Sequence, residues 1–159
     1  MLESPKRTVY LDSTIPSYLF DKRESLRYPS EVTRRWWQDE SPRYDIYVSA
    51  ETIVELGEGE YPGKEEVLAF AAGLPVLESN RAITEITGEY IRHMVMPNDA
   101  SGDALHLAYA SYYGVDFLLT WNCAHLANAN KRRHIETINR RLGLFTPAVI
   151  TPLELFGEY

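Results

Sequence analysis

Short apolar runs rich in β-branched and aromatic residues recur along this chain, each separated from the next by stretches with helical periodicity. That alternation most limits the fold it can adopt. The runs cover residues 8–11, 45–49, 74–77, 117–120 and 148–151, and helical patterns fill 28–39, 50–56, 65–72, 81–94, 103–113 and 125–142. Runs this short and this uniformly apolar read as strands buried on both faces. Successive strands joined through helices must lie parallel, because a crossover returns the chain to the same end of the sheet, and the crossing helices then cover both faces. The expected architecture is a single domain, 1–159, of α/β class: a three-layer α/β/α sandwich around a mostly parallel five-stranded sheet. The stretch 57–63, with three glycines, two glutamates and a proline, reads as a loop between helices.

In an open parallel sheet, ligands bind beyond the carboxyl ends of the strands, where the strand order reverses. Asp12 directly follows Val9-Tyr10-Leu11, and Asn122 lies just beyond Phe117-Leu118-Leu119-Thr120. Glu55 is about one and a half turns into the helix that begins after Ser49, and Asp103 opens the helix that precedes the fourth strand. Asp99, one helical turn before Asp103, reads as a helix cap. Acids gathered in one pocket repel one another and lose hydration, so a chain that builds such a pocket normally fills it with a cation. Hard oxygen donors suit Mg²⁺ or Mn²⁺. Asp116 is a different case: it starts the fourth strand, about six residues of extended chain from Asn122, and should sit at the opposite edge of the sheet.

A chain of 159 residues can bury roughly two-thirds of the surface it exposes when unfolded, so it needs no disulfide or structural metal to fold. Its single cysteine, Cys123, excludes an intramolecular disulfide and every cysteine-rich zinc pattern; it fits a reducing compartment and reads as a small hydrophobe. No run approaches the ~18 apolar residues of a membrane span, and the first seven residues lack the apolar core of a signal peptide, so a soluble, cytoplasmic protein is expected. The net charge of −7 argues against a broadly electropositive nucleic-acid binder. Local charge can override that mean at Arg34-Arg35, Lys131-Arg132-Arg133 and Arg140-Arg141, although each cluster alone reads as a solvated helix face.

Four segments together resemble the PIN-domain family of metal-dependent nucleases, and within it the VapC-type toxins of prokaryotic toxin–antitoxin systems: Val9-Tyr10-Leu11-Asp12-Ser13-Thr14-Ile15; Val48-Ser49-Ala50-Glu51-Thr52-Ile53-Val54-Glu55-Leu56; Gly102-Asp103-Ala104-Leu105-His106-Leu107-Ala108-Tyr109-Ala110; and Phe117-Leu118-Leu119-Thr120-Trp121-Asn122. Each is weak alone, but they occur in the family's order and spacing across most of the chain. The resemblance implies a parallel sheet with acids at its carboxyl edge. It also implies an endoribonuclease that uses Mg²⁺ or Mn²⁺ to activate water against an RNA phosphodiester. Asp12, Glu55 and Asp103 match the family's first three acids. An antitoxin partner and a homodimer are implied too, and eleven tyrosines and three tryptophans supply aromatic anchors for such interfaces.

Asn122 departs from the pattern, since many members carry aspartate there. Its amide brings no charge, though its carbonyl oxygen could still ligate a metal or hold a metal-bound water. Ser13 and Thr14 could bind a metal's water shell or a substrate phosphate, or cap a helix. His106 is either a general acid or a packed histidine; Trp121 either stacks on a base or forms part of the wall. Two further functions stay open. One is a catalytically impaired PIN-like module that binds RNA or protein; the other is a hydrolase that uses the same acids on a small phosphorylated substrate.

Overall fold

The computed structural model describes residues 4–97 and 101–157. Its five strands are β1 (Arg7–Leu11), β2 (Tyr44–Ser49), β3 (Val76–Leu77), β4 (Phe117–Leu119) and β5 (Ala148–Ile150). They form one sheet of order β3-β2-β1-β4-β5, and every neighbouring pair is parallel. The seven helices among the described residues are α1 (Thr14–Phe20), α2 (Arg27–Asp39), α3 (Ala50–Leu56), α4 (Lys64–Ala72), α5 (Arg81–Arg92), α6 (Ser101–Tyr113) and α7 (Ala129–Leu142). The expected three-layer α/β architecture is therefore present, with a sheet that is parallel throughout.

The layers follow from the period-two alternation of the strands. On β1, Val9 and Leu11 join Ile15 of α1, Trp36 of α2, Val48, Leu119 and Ile150 in one apolar cluster. Tyr10, pointing the other way, joins Leu118 with residues of α5, α6 and α7, including Ile83, Leu107, Ala108 and Ile138. Val9, Tyr10 and Leu11 are all fully buried, as a central strand covered on both sides requires. The helices α3 and α4 close a smaller cluster of Leu56, Val67 and Ala71, against which Phe20 packs.

Three departures from the sequence expectation have local causes. Helix α1 has no signal in the sequence pattern, because its seven residues include Pro16 and lie too close to β1 to show a period. Helix α5 stops at Arg92, two residues early: Met94 takes a positive φ of 56°, and the Val95 amide turns back to the Tyr90 carbonyl at 2.9 Å. Helix α7 starts at Ala129, after Asn128 has capped it through the Asn130 amide, while the amides of Leu126 and Ala127 both turn back to the Asn122 carbonyl.

The topology also fixes where a ligand would sit. From β1 the chain builds outward through β2 to β3, then crosses to the other side of β1 to lay down β4 and β5. The strand order reverses between β1 and β4, so their carboxyl ends open a crevice at that point. Leu11 pairs with Leu119, and the Asp12 amide donates to the Leu119 carbonyl at 3.3 Å, so residues 12 and 120 leave the sheet side by side.

Candidate metal centre

Asp12 emerges at the switch point with its residue only 2% exposed. One carboxylate oxygen, Oδ1, accepts from the Thr14 amide at 3.0 Å and from the Thr14 hydroxyl; the other, Oδ2, accepts from the Thr120 hydroxyl. Each hydroxyl is itself fixed by the backbone leaving β4, since Trp121 N–H donates to Thr14 Oγ1 and Asn122 N–H to Thr120 Oγ1, both at 2.9 Å. Burial still dominates, pushing the Asp12 carboxyl above its ordinary value of 3.8 against the charge of His106 and these donors.

Glu55 reaches the same place from α3. That helix is anchored by Ser49 and Thr52, which cap each other's backbone amides, and by the Thr52 hydroxyl donating to the Leu11 carbonyl at 3.1 Å. The half-buried Glu55 accepts from the Ser13 hydroxyl at Oε2, 3.0 Å away, and bonds His106 Nε2 through Oε1. Burial raises its carboxyl, but the hydrogen bond and charge of His106, helped by Ser13, outweigh it and hold Glu55 below the usual value of 4.5.

Asp103, in the first turn of α6, accepts from Asn122 Nδ2 at 3.0 Å. Burial raises its carboxyl, which His106 and Asn122 lower and Glu55 raises further. The orientation of the Asn122 amide follows from its other contact: Oδ1 accepts from His125 N–H at 3.0 Å, a partner that can only donate, so the NH₂ must face Asp103. Asn122 thus stands beside the acids as expected, but presents a donor to Asp103 and spends its carbonyl oxygen on a turn.

Two residues of this cluster are not among those the sequence singles out. Glu51 lies one turn before Glu55 on α3, half-buried, with its carboxyl raised by burial and then by the charge of Glu55, with which it shares a hydrogen bond. The spacing of Glu51 to Glu55 within the expected helix is the available signal. Tyr10 lies beneath the acids, its hydroxyl 2.5 Å from His106 Nδ1 and 2.7 Å from Ser49 Oγ. His106 is 1% exposed, which settles it as a packed residue bonded at both ring nitrogens.

Other expectations resolve more simply. Trp121 is wall: it stacks on Tyr18 at 6.1 Å and donates to Thr33 Oγ1 at 2.7 Å. Asp116 binds the amide and hydroxyl of Thr8 at the amino edge of the sheet, away from the acids. Cys123, read from sequence as a small hydrophobe, is exposed instead, because the turn after Asn122 points it outward. Lys131 is not part of a free basic face, since Nζ donates to the Val95 carbonyl at 3.1 Å, whereas Arg132 and Arg133 are exposed. Asp99 lies outside the described residues. A cavity of about 600 Å³ opens elsewhere, between the end of α1 and the start of α4, and none of Asp12, Glu55, Asp103 and Asn122 lines it.

Among the described residues, no group of three or more His, Cys, Asp and Glu side chains is set to hold a metal ion as the side chains stand. The donor chemistry nonetheless fits a hard divalent cation. Asp12, Glu55 and Asp103 are carboxylates on which the charge of the same buried His106 acts, and burial disfavours the charge of both aspartates, as expected of a place short of positive charge. Gly102 borders the two glutamates: a Cβ at that position would stand in ordinary van der Waals contact, 3.4 Å from Glu55 Oε1 and 3.7 Å from Glu51 Oε1.

No family model matches the sequence, and no curated protein matches it either. The fold does match solved structures. A toxin–antitoxin complex from Klebsiella pneumoniae aligns with a TM-score of 0.60 at 17% identity, over 91% of this chain and 98% of that one. VapC20 from Mycobacterium tuberculosis, a toxin that cleaves the sarcin–ricin loop, aligns with a TM-score of 0.59 at 13% identity, over 74% of this chain and 92% of that one. VapBC2 from Rickettsia felis, bound to a DNA fragment from its promoter, aligns with a TM-score of 0.57 at 17% identity, over 91% and 98%. The chain therefore has the PIN-like α/β fold of these structures. No helix among its described residues is long and apolar enough to cross a membrane.

Proposed function

We propose that this chain is a metal-dependent endoribonuclease, the toxin of a type II toxin–antitoxin pair. The observation that supports the reading is the place of Asp12 at the switch point of a PIN-like sheet, with the charge of one buried histidine, His106, acting on Asp12, Glu55 and Asp103 alike and burial working against the charge of both aspartates. These three would hold Mg²⁺ or Mn²⁺ through carboxylate oxygens, with Asn122 keeping Asp103 in place. Such an ion, when bound, polarises a phosphate and lowers the pKa of its water.

The chain's own residues do the rest. Thr14 fills both lone pairs of Asp12 Oδ1 through its amide and hydroxyl, whereas Oδ2, held by the Thr120 hydroxyl alone, keeps a further lone pair for coordination. Ser13 and His106 hold Glu55 on its two oxygens, and the Asn122 amide orients Asp103 without adding charge. An antitoxin-like protein partner belongs to this reading and is supported by the likeness to toxin–antitoxin complexes. A second copy of the chain and a cytoplasmic site of action complete the proposal.

The test is cleavage of a structured RNA by the purified chain in Mg²⁺, in Mn²⁺ and in chelator. Wild type should cleave only with metal, and Asp12→Asn should lose about a hundredfold or more of that activity. Cleavage indifferent to chelator, or undiminished in Asp12→Asn, refutes the proposal. One observation favours a second reading, an RNA- or protein-binding module with impaired catalysis: Asn122 turns its NH₂ to Asp103 and its carbonyl oxygen to the His125 amide, so the fourth position brings no charge and faces the neighbouring acid with a donor. RNA binding by a wild type that fails to bind Mn²⁺ would select it.

A further inference from the structure

Resting on the metal-site reading, one arrangement behind the acids goes further. A continuous buried line of hydrogen bonds runs from Ser49 Oγ to the Tyr10 hydroxyl (2.7 Å), to His106 Nδ1 (2.5 Å), and from His106 Nε2 to Glu55 Oε1. Tyr10 is fully buried and His106 is 1% exposed, whereas Glu55 is only partly covered. The line therefore leads from the interior to the surface of the crevice. Its far end is itself anchored, since Ser49 caps α3, the helix that carries Glu55.

The geometry points to Tyr10 and His106 as positioning residues that brace Glu55, committing Oε1 to the imidazole and leaving Oε2, beside Ser13, as the oxygen that meets the ion. Glu55 would then bind through one oxygen only. The brace works in either charge state of the ring. With a neutral imidazole, Nε2–H donates to Glu55 and Nδ1 accepts from the Tyr10 hydroxyl; with an imidazolium, Nδ1–H donates to Tyr10 and the phenol donates its own proton to Ser49. In both, Nε2 holds a proton against Oε1. A partly exposed glutamate on the last turn of a seven-residue helix would otherwise sample several rotamers. Hydrogen-bond partners that orient metal-ligating carboxylates typically account for about ten- to hundredfold in affinity.

Three variants and two measurements test this on the full chain. Mn²⁺ alone is titrated calorimetrically into wild type, His106→Leu, His106→Gln and Tyr10→Phe, and thermal melts confirm that each is folded. His106→Leu should bind Mn²⁺ about tenfold more weakly. His106→Gln, whose amide NH₂ can reach Oε1, should recover most of that loss, and Tyr10→Phe should lose about two- to threefold, because the ring keeps its partner but not its orientation. The second readout needs no metal: the His106 Nε2–H proton in metal-free wild type should give a protected, strongly downfield resonance, which shifts or broadens in Tyr10→Phe. Folded His106→Leu that binds Mn²⁺ as wild type does, or a His106→Gln that recovers nothing, overturns the brace. So does an Nε2–H resonance that is absent, or that Tyr10→Phe leaves unmoved. A wild type that binds no Mn²⁺ while the resonance behaves as described overturns the metal-site reading instead, and leaves the brace standing as a feature of the metal-free protein.

Discussion

Two buried polar networks in this molecule are each built around a tyrosine hydroxyl, and they are put to opposite uses. Between α5, α6 and α7, Tyr90 donates to Asn139 Oδ1 and reaches Ser111 Oγ at 3.0 Å, while Asn139 Nδ2 donates to Ser111 at 3.0 Å. Every member is neutral, and burial raises the Tyr90 phenol to about 12. Around Tyr10 the hydroxyl meets Ser49 and His106, His106 in turn bonds Glu55, and the same imidazole acts by its charge on Asp12 and Asp103, leaving more carboxylates than one imidazole can balance. A neutral, saturated network stabilises the packing it sits in; a network left with surplus negative charge costs stability, which suits a site that takes up a cation.

The largest effect that would break this comparison is on activity. Asp12→Asn, Glu55→Gln and Asp103→Asn should each reduce metal-dependent RNA cleavage about a hundredfold or more while the protein stays folded, as circular dichroism would check. Asn139→Ala should do the reverse, costing about 1–3 kcal/mol in denaturant unfolding with cleavage per folded molecule unchanged, because it leaves a buried phenol and hydroxyl short of a partner. If Asn139→Ala abolished cleavage at unchanged stability, the two networks would not be separable.

Next in size is the pH dependence of stability without metal. Asp12 and Asp103 have carboxyls raised above 3.8, so the folded state holds their protons more tightly than the unfolded chain does. Their contribution is fully present below 3.8 and is lost as pH rises through the raised values. His106, raised above 6.5 because Glu55, Asp12 and Glu51 outweigh its burial, acts in the same sense. Glu55, lowered below 4.5, opposes them: its contribution is present above 4.5 and lost as pH falls through the depressed value. Melting temperature in chelator should therefore rise as pH falls from neutrality toward 4.5, and Asp12→Asn should flatten the rise. A curve of unchanged slope in Asp12→Asn would show that its burial carries no such penalty.

A smaller change sharpens the same contrast. Asn122→Asp replaces the amide donor to Asp103 with a second carboxylate, so the metal-free protein should lose about 1–2 kcal/mol. Mn²⁺ should in turn raise its melting temperature by more than it raises that of wild type. Equal metal-induced shifts in the two proteins would place position 122 outside the ion's reach. Smallest is the basic start of α7: neutralising Arg132 and Arg133 together should lower the slope of log affinity for RNA against log salt by about 0.7 for each phosphate that no longer meets a cation, with Mn²⁺ binding unchanged. An unaltered slope would mark both as solvated side chains.

The sheet and the outline of the acid pocket are legible in the sequence because both follow from local pattern: apolar runs define strands, and an acid just past a strand end has only one edge to occupy. What stays hidden depends on residues far apart along the chain. His106 can be placed on an apolar helix face, but its bond to Glu55 spans 51 positions and its bond to Tyr10 spans 96. Tyr10 itself reads as a strand residue, since nothing in Val9-Tyr10-Leu11 shows that its hydroxyl will meet a histidine. The direction of the Asn122 amide is equally closed to inspection, because it is decided by the turn that brings the His125 amide to Oδ1. Glu51 is the one member of the cluster, beyond those the sequence singles out, that spacing alone could have revealed.

The pairing of β1 with β4 also bears on how the chain is made. Asp12 and the Thr120 hydroxyl that holds it are 108 positions apart, and the strands they leave are neighbours at the middle of the sheet. During synthesis, β1, β2 and β3 can assemble as the chain emerges, but one flank of the central strand stays bare until residues 117–119 follow. High sequence separation makes that closing step slow, and the unpaired flank is an edge open to other strands while it lasts. The same delay means that a growing chain cannot complete its acid pocket until about three-quarters of it has been translated, so whatever the pocket does is withheld until synthesis is nearly finished.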